Sequence, residues 1–534
     1  MEEEGKYKGS TCSGLYGKLE SQRSAFLQRA RECSEYTIPT LIPPNVEGGA
    51  HKFPTPYQGV GARGVNNIAS KLLLALLPAN QSFFRLSVDN KVLDELGAAR
   101  GDAEKALVEI ESRVLKEVNA SQVRVKVFEA LKHLIVGGNT LLYLPPGENT
   151  LKVYPLARYV VDRDATGNVL HIITKEDVNV DTLDKKVLDE IEIPDDNDED
   201  ISIYTHVKWT GSKWSVEQEI EGQVLESTKT TYPKDKCPFM ALRLIVVDGE
   251  AYGRSYVEEY LGDIKSLEGL TKAIVEGSAA MAKLLIFVSP NGTTRKRTVA
   301  EAANLAVVEG NAQDVTAFRL DKGGDFGVAL QTANTITERL SFAFMLNSAV
   351  QRQAERVTAE EIRYIANELE DTLGGVYSIL GAEFQLPFAK LVMSRMQKTG
   401  KIPSLPKGMV EPVVITGMEA LGRQADMTKM DMFTQSLAVL GPEALQKHIN
   451  ISEYIARRAA ALSIDATDLV KTKEELDQEM KQQQEMMQQQ QMMQMAQAAA
   501  PNAVKGMADG AQQSAQMTND ALMAEQQTEE GPQQ

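Results

Sequence analysis

The residues best suited to handle a polyanion sit together in one short stretch: Gln351, Arg352, Gln353, Glu355 and Arg356. Two guanidiniums can bind phosphate oxygens in bidentate fashion, and the two amides can exchange hydrogen bonds with a sugar–phosphate backbone. With one Glu among them, a single copy has only weak net attraction for an anion. Read alone, the stretch is either an ordinary solvent loop between helices or a polar surface that matters when many copies converge. A second basic group, Arg295-Lys296-Arg297, stands alone in a turn-rich region.

Other chemistry is sparse. Gly59-Val60-Gly61-Ala62-Arg63-Gly64 matches G-x-G-x-x-G and opens a helix. A dinucleotide site also needs a buried strand just before the loop and an acid about 20 residues on. Here HKFPTPYQ precedes it, and Asp89 comes too late. The pattern reads as a turn with a close-packed helix start, the alternative being a nucleotide-dependent enzyme. No G-x-x-x-x-G-K-[ST] occurs, so the chain carries no P-loop of its own. Its histidines (His51, His133, His171, His206 and His448) never fall at i, i+4, which excludes an HExxH zinc site. Cys12, Cys33 and Cys237 are odd in number and widely spaced, which argues against disulfides or a zinc site and suits a reducing compartment. Cys237 reads as a packed thiol. The acidic run Asp195 to Asp200 lacks the Gly and Glu of an EF-hand and reads as a solvated loop. No metal, cofactor or catalytic residue is expected.

The 534 residues suggest two to four domains, and 43% hydrophobic with 25% charged residues is ordinary for a folded protein. The formal charge of −17 argues against tight phosphate binding, which needs many Lys and Arg on one face. No apolar run approaches the roughly 20 residues of a membrane helix, and MEEEGKYKGS does not read as a signal peptide.

The polar stretch must be positioned by what flanks it. A helix over 326–346 feeds into it. Behind it, Thr358 and Glu361 form a T-x-x-E capping box, after which Ile362, Ile365, Leu369, Leu373, Val376, Tyr377 and Leu380 recur at helical spacing. A continuous helix from Thr358 to Met396 would be roughly 58 Å long. Gly374-Gly375 in its middle invites a kink, at a cost of about 1 kcal/mol per Gly against Ala, and Pro387 offers a second bend. Upstream, helices are expected over 13–38, 65–77, 89–119 and 123–136, the last closed by Gly137-Gly138. A strand is expected over 83–88 and a β-rich module over 140–247. A helix over 256–285 and the helix over 326–346 flank a mixed unit of about 40 residues, a hairpin with a compact tip. A Pro-rich connector from 400 leads to helices over 426–439 and 442–462. The Gln/Met run that follows favours a helix, which could make the chain a helical adaptor. From Pro501 onward there is no apolar periodicity, which reads as disorder. The fold class is mainly α with a β-rich module (α+β).

Five segments carry a family resemblance: YTIPTLIP (36–43), VGARGVNNIASKLLLALLP (60–78), FEALKHLIVGGNTLLYLP (128–145), YGRSYVEEYLGDIKSLEGL (252–270) and LSFAFMLNSAVQRQAERVTAEEIRYIANELEDTLGGVYSIL (340–380). In these the chain resembles the portal proteins, or head-to-tail connectors, of short-tailed podoviruses of the autographivirus type. The resemblance implies a dodecameric ring around a channel at one capsid vertex. It implies that double-stranded DNA is packaged through the channel by a separate terminase and later ejected. It implies a wing (1–251 and the kinked helix and connector, 358–425), stem helices (252–285 and 326–346), a clip (286–325), a tunnel loop (347–357), a crown (426–500) and a tail (501–534). Gln351, Arg352, Gln353, Glu355 and Arg356 would face the channel, and Arg295, Lys296 and Arg297 would dock terminase or tail. Further implied partners are the major capsid protein, the scaffolding protein, the tail adaptor and internal core proteins, with no membrane contact. The implied location is the virion, after assembly in the host cytoplasm. The acidic balance fits, because firm phosphate contacts would retard DNA sliding.

Overall fold

The computed structural model describes residues 11–44, 53–78, 82–88, 100–147, 150–191, 201–281, 285–318, 323–346, 369–405 and 410–414, with gaps inside 150–191 and 369–405. Helical pieces are also described within 432–436, 481–493 and 511–518. The chain divides into two units, Met1–Lys429 and Met430–Gln534. In the second unit the described residues are helical, and Met486, Met487, Met492 and Met493 are exposed. The acidic run Asp195 to Asp200 lies outside the described residues. Among the described residues, no helix is long and apolar enough to cross a membrane.

The first unit is built on four N-terminal helices. In α1 (Cys12–Glu35), the Thr11 side chain caps the start by accepting from the Gly14 N–H. Leu15, Leu19, Leu27, Ala30 and Cys33 are buried, the three- and four-residue spacing of one helical face. Arg23 is buried on the same side. Its guanidinium donates to the Leu156, Ala157 and Tyr159 carbonyls at 2.8–3.0 Å, so burial leaves the charge well solvated by backbone. α2 (Val60–Leu76) starts five residues earlier than its apolar run suggests, because the glycine-containing segment is itself helical. α3 (Arg100–Ala120) turns Ile110, Val114 and Val118 inward. α4 (Val123–Gly137) ends where expected, with Gly138 in the left-handed region at φ 73°.

The β-rich module forms two antiparallel sheets. β2 (Asn139–Tyr143) is central between β3 (Lys152–Tyr154) and β9 (Phe239–Arg243). β4 (Tyr159–Arg163), β5 (Val169–Val178), β6 (Ile201–Trp209), β7 (Lys213–Ile220) and β8 (Gln223–Pro233) form a five-stranded meander. The N-terminal half of α1 packs on that meander through Leu15, Tyr16, Leu19, Val160 and Ile173. β1 (Phe84–Val88) pairs with β12 (Val410–Val414), so a strand lies in the segment read as a Pro-rich connector. Pro412 stands opposite Leu86, where a two-stranded sheet leaves an edge that needs no N–H.

Beyond the sheets, α5 (Tyr256–Met281) is over before its expected end at 285, where β10 (Leu285–Val288) begins. A short helix α6 (Lys296–Glu301) and β11 (Val315–Phe318) complete the tip, and α7 (Gly323–Ala343) returns. Later, α8 (Val376–Leu380) passes through a π-helical turn (Gly381–Gln385) into α9 (Leu386–Lys398). Gly375 occupies a turn at the start of α8, and Gly374 lies outside the described residues. The Leu386 N–H donates to the Gly381 carbonyl, the i→i+5 bond of a wide turn, placed just ahead of Pro387.

Candidate functional site

Two helices prepare the region around the polar stretch, and their contacts show that they run antiparallel. The Tyr256 hydroxyl donates to the Ala343 carbonyl at 2.9 Å. Arg339 pairs with Asp263 at 2.8 Å, and the Phe326 ring lies against Gly277. A Cβ at Gly277 would overlap that ring, so glycine is what lets α5 and α7 close up near the tip.

At the other end, α7 finishes in a Schellman-type closure. Leu346 N–H donates to the Ser341 carbonyl and Met345 N–H to Phe342, and Met345 takes φ 53°, the role usually given to glycine. A left-handed non-glycine residue costs about 1–2 kcal/mol, so the surroundings must hold it. They do so from α2. The Asn67 side-chain amide donates to the Phe344 and Met345 carbonyls, both at 2.9 Å. Phe344 is fully buried against Tyr256 and Tyr260, and its ring fills the space a side chain would need at Gly64. Leu346, the last described residue before the polar stretch, therefore follows a firmly held chain reversal. Gln351, Arg352, Gln353, Glu355, Arg356, Thr358 and Glu361 follow, and they lie outside the described residues.

The same contacts dispose of the nucleotide reading of Gly59 to Gly64. Gly64 serves helix packing. The Tyr57 and Gln58 N–H groups donate to the Glu268 carboxylate at 2.9 and 3.0 Å, and the Gly61 N–H donates to the Gln58 side chain. Donors that a phosphate would need are engaged within the protein, and residues 53–59 form no strand.

The tip presents Arg295, Lys296 and Arg297 to solvent. Arg295 precedes α6, and Arg297 pairs with Glu301 at 2.8 Å, which offsets part of the triplet's charge. The tip is braced by Asp314, whose carboxylate accepts from the Thr294 N–H and the Thr293 hydroxyl. These bonds hold its pKa below the usual carboxylate range. Leu305 and Val307 are fully exposed at this tip, and Phe342, near the far end of α7, is 82% exposed.

Sequence reasoning missed the residues that fix these elements: Asn67, Met345 and Glu383. Glu383, in the π-helical turn, accepts from the Arg243 N–H and guanidinium at 2.9–3.2 Å, joining that turn to β9. Burial, and then the neighbouring Arg243, lowers the pKa of the adjacent Arg163 to about 10, and Glu383 opposes that shift. Tyr377 and Gln385 donate to the Ala75 and Leu76 carbonyls, which α2 leaves without helical partners. An asparagine, a methionine and a glutamate have no local pattern to mark such long-range roles.

Comparison with known proteins accounts for the shared segments. The chain is 42% identical over 486 residues to the portal protein of Escherichia phage T7, covering 88% of this chain and 90% of the relative. The portal protein of Enterobacteria phage T3 is 42% identical over 478 residues (87% and 89%). That of Pseudomonas phage phiKMV is 30% identical over 515 residues (94% and 98%). The family model described as bacteriophage head to tail connecting protein matches residues 9–470, a span that takes in α1 to α9 and β1 to β12, and the chain belongs to that family.

Proposed function

We propose that this chain is a portal subunit. Copies of it form a ring, dodecameric by resemblance, around a channel at one vertex of a phage capsid. Double-stranded DNA enters through the channel, driven by a separate terminase, and leaves by it at ejection. The observation that carries this reading is the 42% identity to the T7 portal protein across nearly the whole of both chains. In this reading the protein has no catalytic step to perform; its work is to shape a channel and offer docking surfaces.

In this reading residues 1–251 with 358–425 form the wing and 426–500 the crown. α5 and α7 are the stem, residues 286–325 the clip, and 347–357 the tunnel loop. Apolar side chains left exposed on one copy support it, because exposed apolar groups beyond scattered singles mark association surfaces. Val275 on α5 and Val328, Leu330 and Phe342 on α7 would then meet neighbouring subunits. Gln351, Arg352, Gln353, Glu355 and Arg356 would line the narrow part of the channel, launched from the clamp at Phe344 and Met345. Arg295, Lys296 and Arg297 would face the terminase or the tail. The capsid, scaffolding and core proteins would contact the wing and crown. A net charge of −17 per copy keeps DNA from adhering, and a few arginines at the constriction centre it.

Electron microscopy of the purified protein tests the assembly. Rings with a central opening are expected, and monodisperse monomers under every condition would overturn the reading. Deleting Gln351 to Arg356 should leave rings intact while DNA packaging or retention fails. Loss of rings on that deletion would make the stretch structural.

A further inference from the structure

The first helix and the five-stranded meander meet at a group of side chains that the portal reading does not use. β6 and β7 place His206 directly opposite Glu217, and Glu219 lies two residues along on β7, opposite Tyr204. This face of the sheet receives the N-terminus of α1. There the Glu219 carboxylate accepts from the Cys12 N–H at 2.5 Å and the Ser13 N–H at 3.0 Å, while the Tyr16 and Tyr204 rings meet edge to face. Cys12 is thereby seated over the His206–Glu217 pair. One ligand atom from each of Cys12, His206 and Glu217 lies within 4.8 Å of the other two, and the His206 Nδ1 to Glu217 Oε1 distance is 3.5 Å.

We propose that Cys12, His206 and Glu217 form a binding site for a zinc-class divalent cation that staples the first helix to the meander. Thiolate sulfur, imidazole nitrogen and carboxylate oxygen are the three donor types zinc takes, at about 2.0–2.3 Å each. Ligand atoms around a tetrahedral ion sit about 3.5 Å apart, so the observed spacing needs only small side-chain movement. The fourth position falls to water, reached past Glu217, the one half-exposed member. On binding, the Cys12 thiol gives its proton to solvent and ligates as thiolate. His206 ligates through neutral Nδ1. Its other nitrogen, Nε2, lies 3.0 Å from His171 Nδ1, so a proton on Nε2 donated to His171 fixes both tautomer and ring plane, the support that metal-bound histidines usually have. Glu219 stays on the helix terminus and adds negative charge beside the cation. The helix is already capped; the metal adds a cross-link between residues about 200 positions apart, and such links oppose separation of the two elements.

The test uses the full-length protein, stripped with a chelator and kept reduced. Zinc titrated against a chromophoric competitor should bind at one ion per chain, and cadmium should produce the ultraviolet thiolate-to-metal charge-transfer band. Cys12→Ser should abolish the band, and Glu217→Gln should weaken zinc binding by at least about tenfold. Cys237→Ser should change neither. Glu217 is half-exposed, so its variant reports even if His206→Gln fails to fold. Failure of the wild-type chain to take up zinc saturably would overturn the proposal. So would Cys12→Ser and Glu217→Gln chains that bind as the wild type does.

Discussion

The meander with α1 and the α5–α7 hairpin with its tip are of comparable length yet differ in how they meet their own needs. In the meander region the large apolar side chains, Val224 on β8 apart, find partners within the chain. Leu15, Leu19, Val160 and Ile173 are buried, and even the Arg23 charge is matched by carbonyls. Along the hairpin, Ile264, Leu267 and Leu340 are buried, while Val275, Val328, Leu330, Phe342, Leu305 and Val307 stay exposed. One region covers its own apolar surface; the other leaves apolar surface that, in the proposed ring, neighbours would cover. The stability of a single copy should therefore rest on the first, and the existence of a ring on the second.

Truncating Ile173→Ala should cost about 3 kcal/mol, the usual toll for a large-to-small change in a packed core. Thermal unfolding should show the same loss in rings and in dissociated chains. A loss confined to rings would break the contrast.

A similar effect, reached by acid, should come from His133 on α4. Burial pushes its pKa down to about 4 from an ordinary value near 6.5. The unfolded chain then binds a proton that the folded chain refuses. Stability is full above about pH 6.5 and falls as the pH drops towards 4, at no more than about 1.4 kcal/mol per pH unit. His133→Leu should flatten that window in urea titrations repeated across pH, and an unchanged slope would assign it to other groups.

At the end of α7, Met345→Gly should lower stability by about 2 kcal/mol: glycine takes the positive φ without the steric cost of about 1–2 kcal/mol, but the buried Met345 side chain it removes is worth about 2–5 kcal/mol. An increase in denaturation midpoint would mean that relief of the backbone strain outweighs the packing lost. The smallest change in single-copy stability belongs to Phe342→Ser, within about 0.5 kcal/mol as at other exposed positions. Ring recovery by size exclusion should nevertheless fall sharply. If rings form as before, the exposed stripe on α7 is not an interface.

Much of the architecture was legible because it is local. Gly137-Gly138 closes a helix, alternation marks the meander, and the apolar periods outline α1, α5 and α7 within a turn. The rest depends on partners distant in the chain. β12 hid because Pro412 interrupts a short run and its partner lies at Phe84 to Val88. The end of α7 carries methionine where a glycine would have announced the reversal. Cys12, His206 and Glu217 come from three separate elements, so no spacing rule could group them. The polar stretch was visible by composition, yet what holds the chain just ahead of it, Asn67 reaching Phe344 and Met345, belongs to a helix far upstream.

The π-helical turn has one consequence of phase. Val376, Leu380, Phe384 and Phe388 are all buried and fall four residues apart. In a regular α-helix each such step advances about 40° around the axis, so the three steps would carry the row about 120° off the core. The wide turn at Gly381–Gln385 accommodates the surplus and resets the angle, so Phe388, Leu391, Val392 and Met396 of α9 return to the same side. Removing a single residue there would turn everything downstream by about 100°, swinging that apolar row outward. The turn works as a vernier that keeps two half-helices in step.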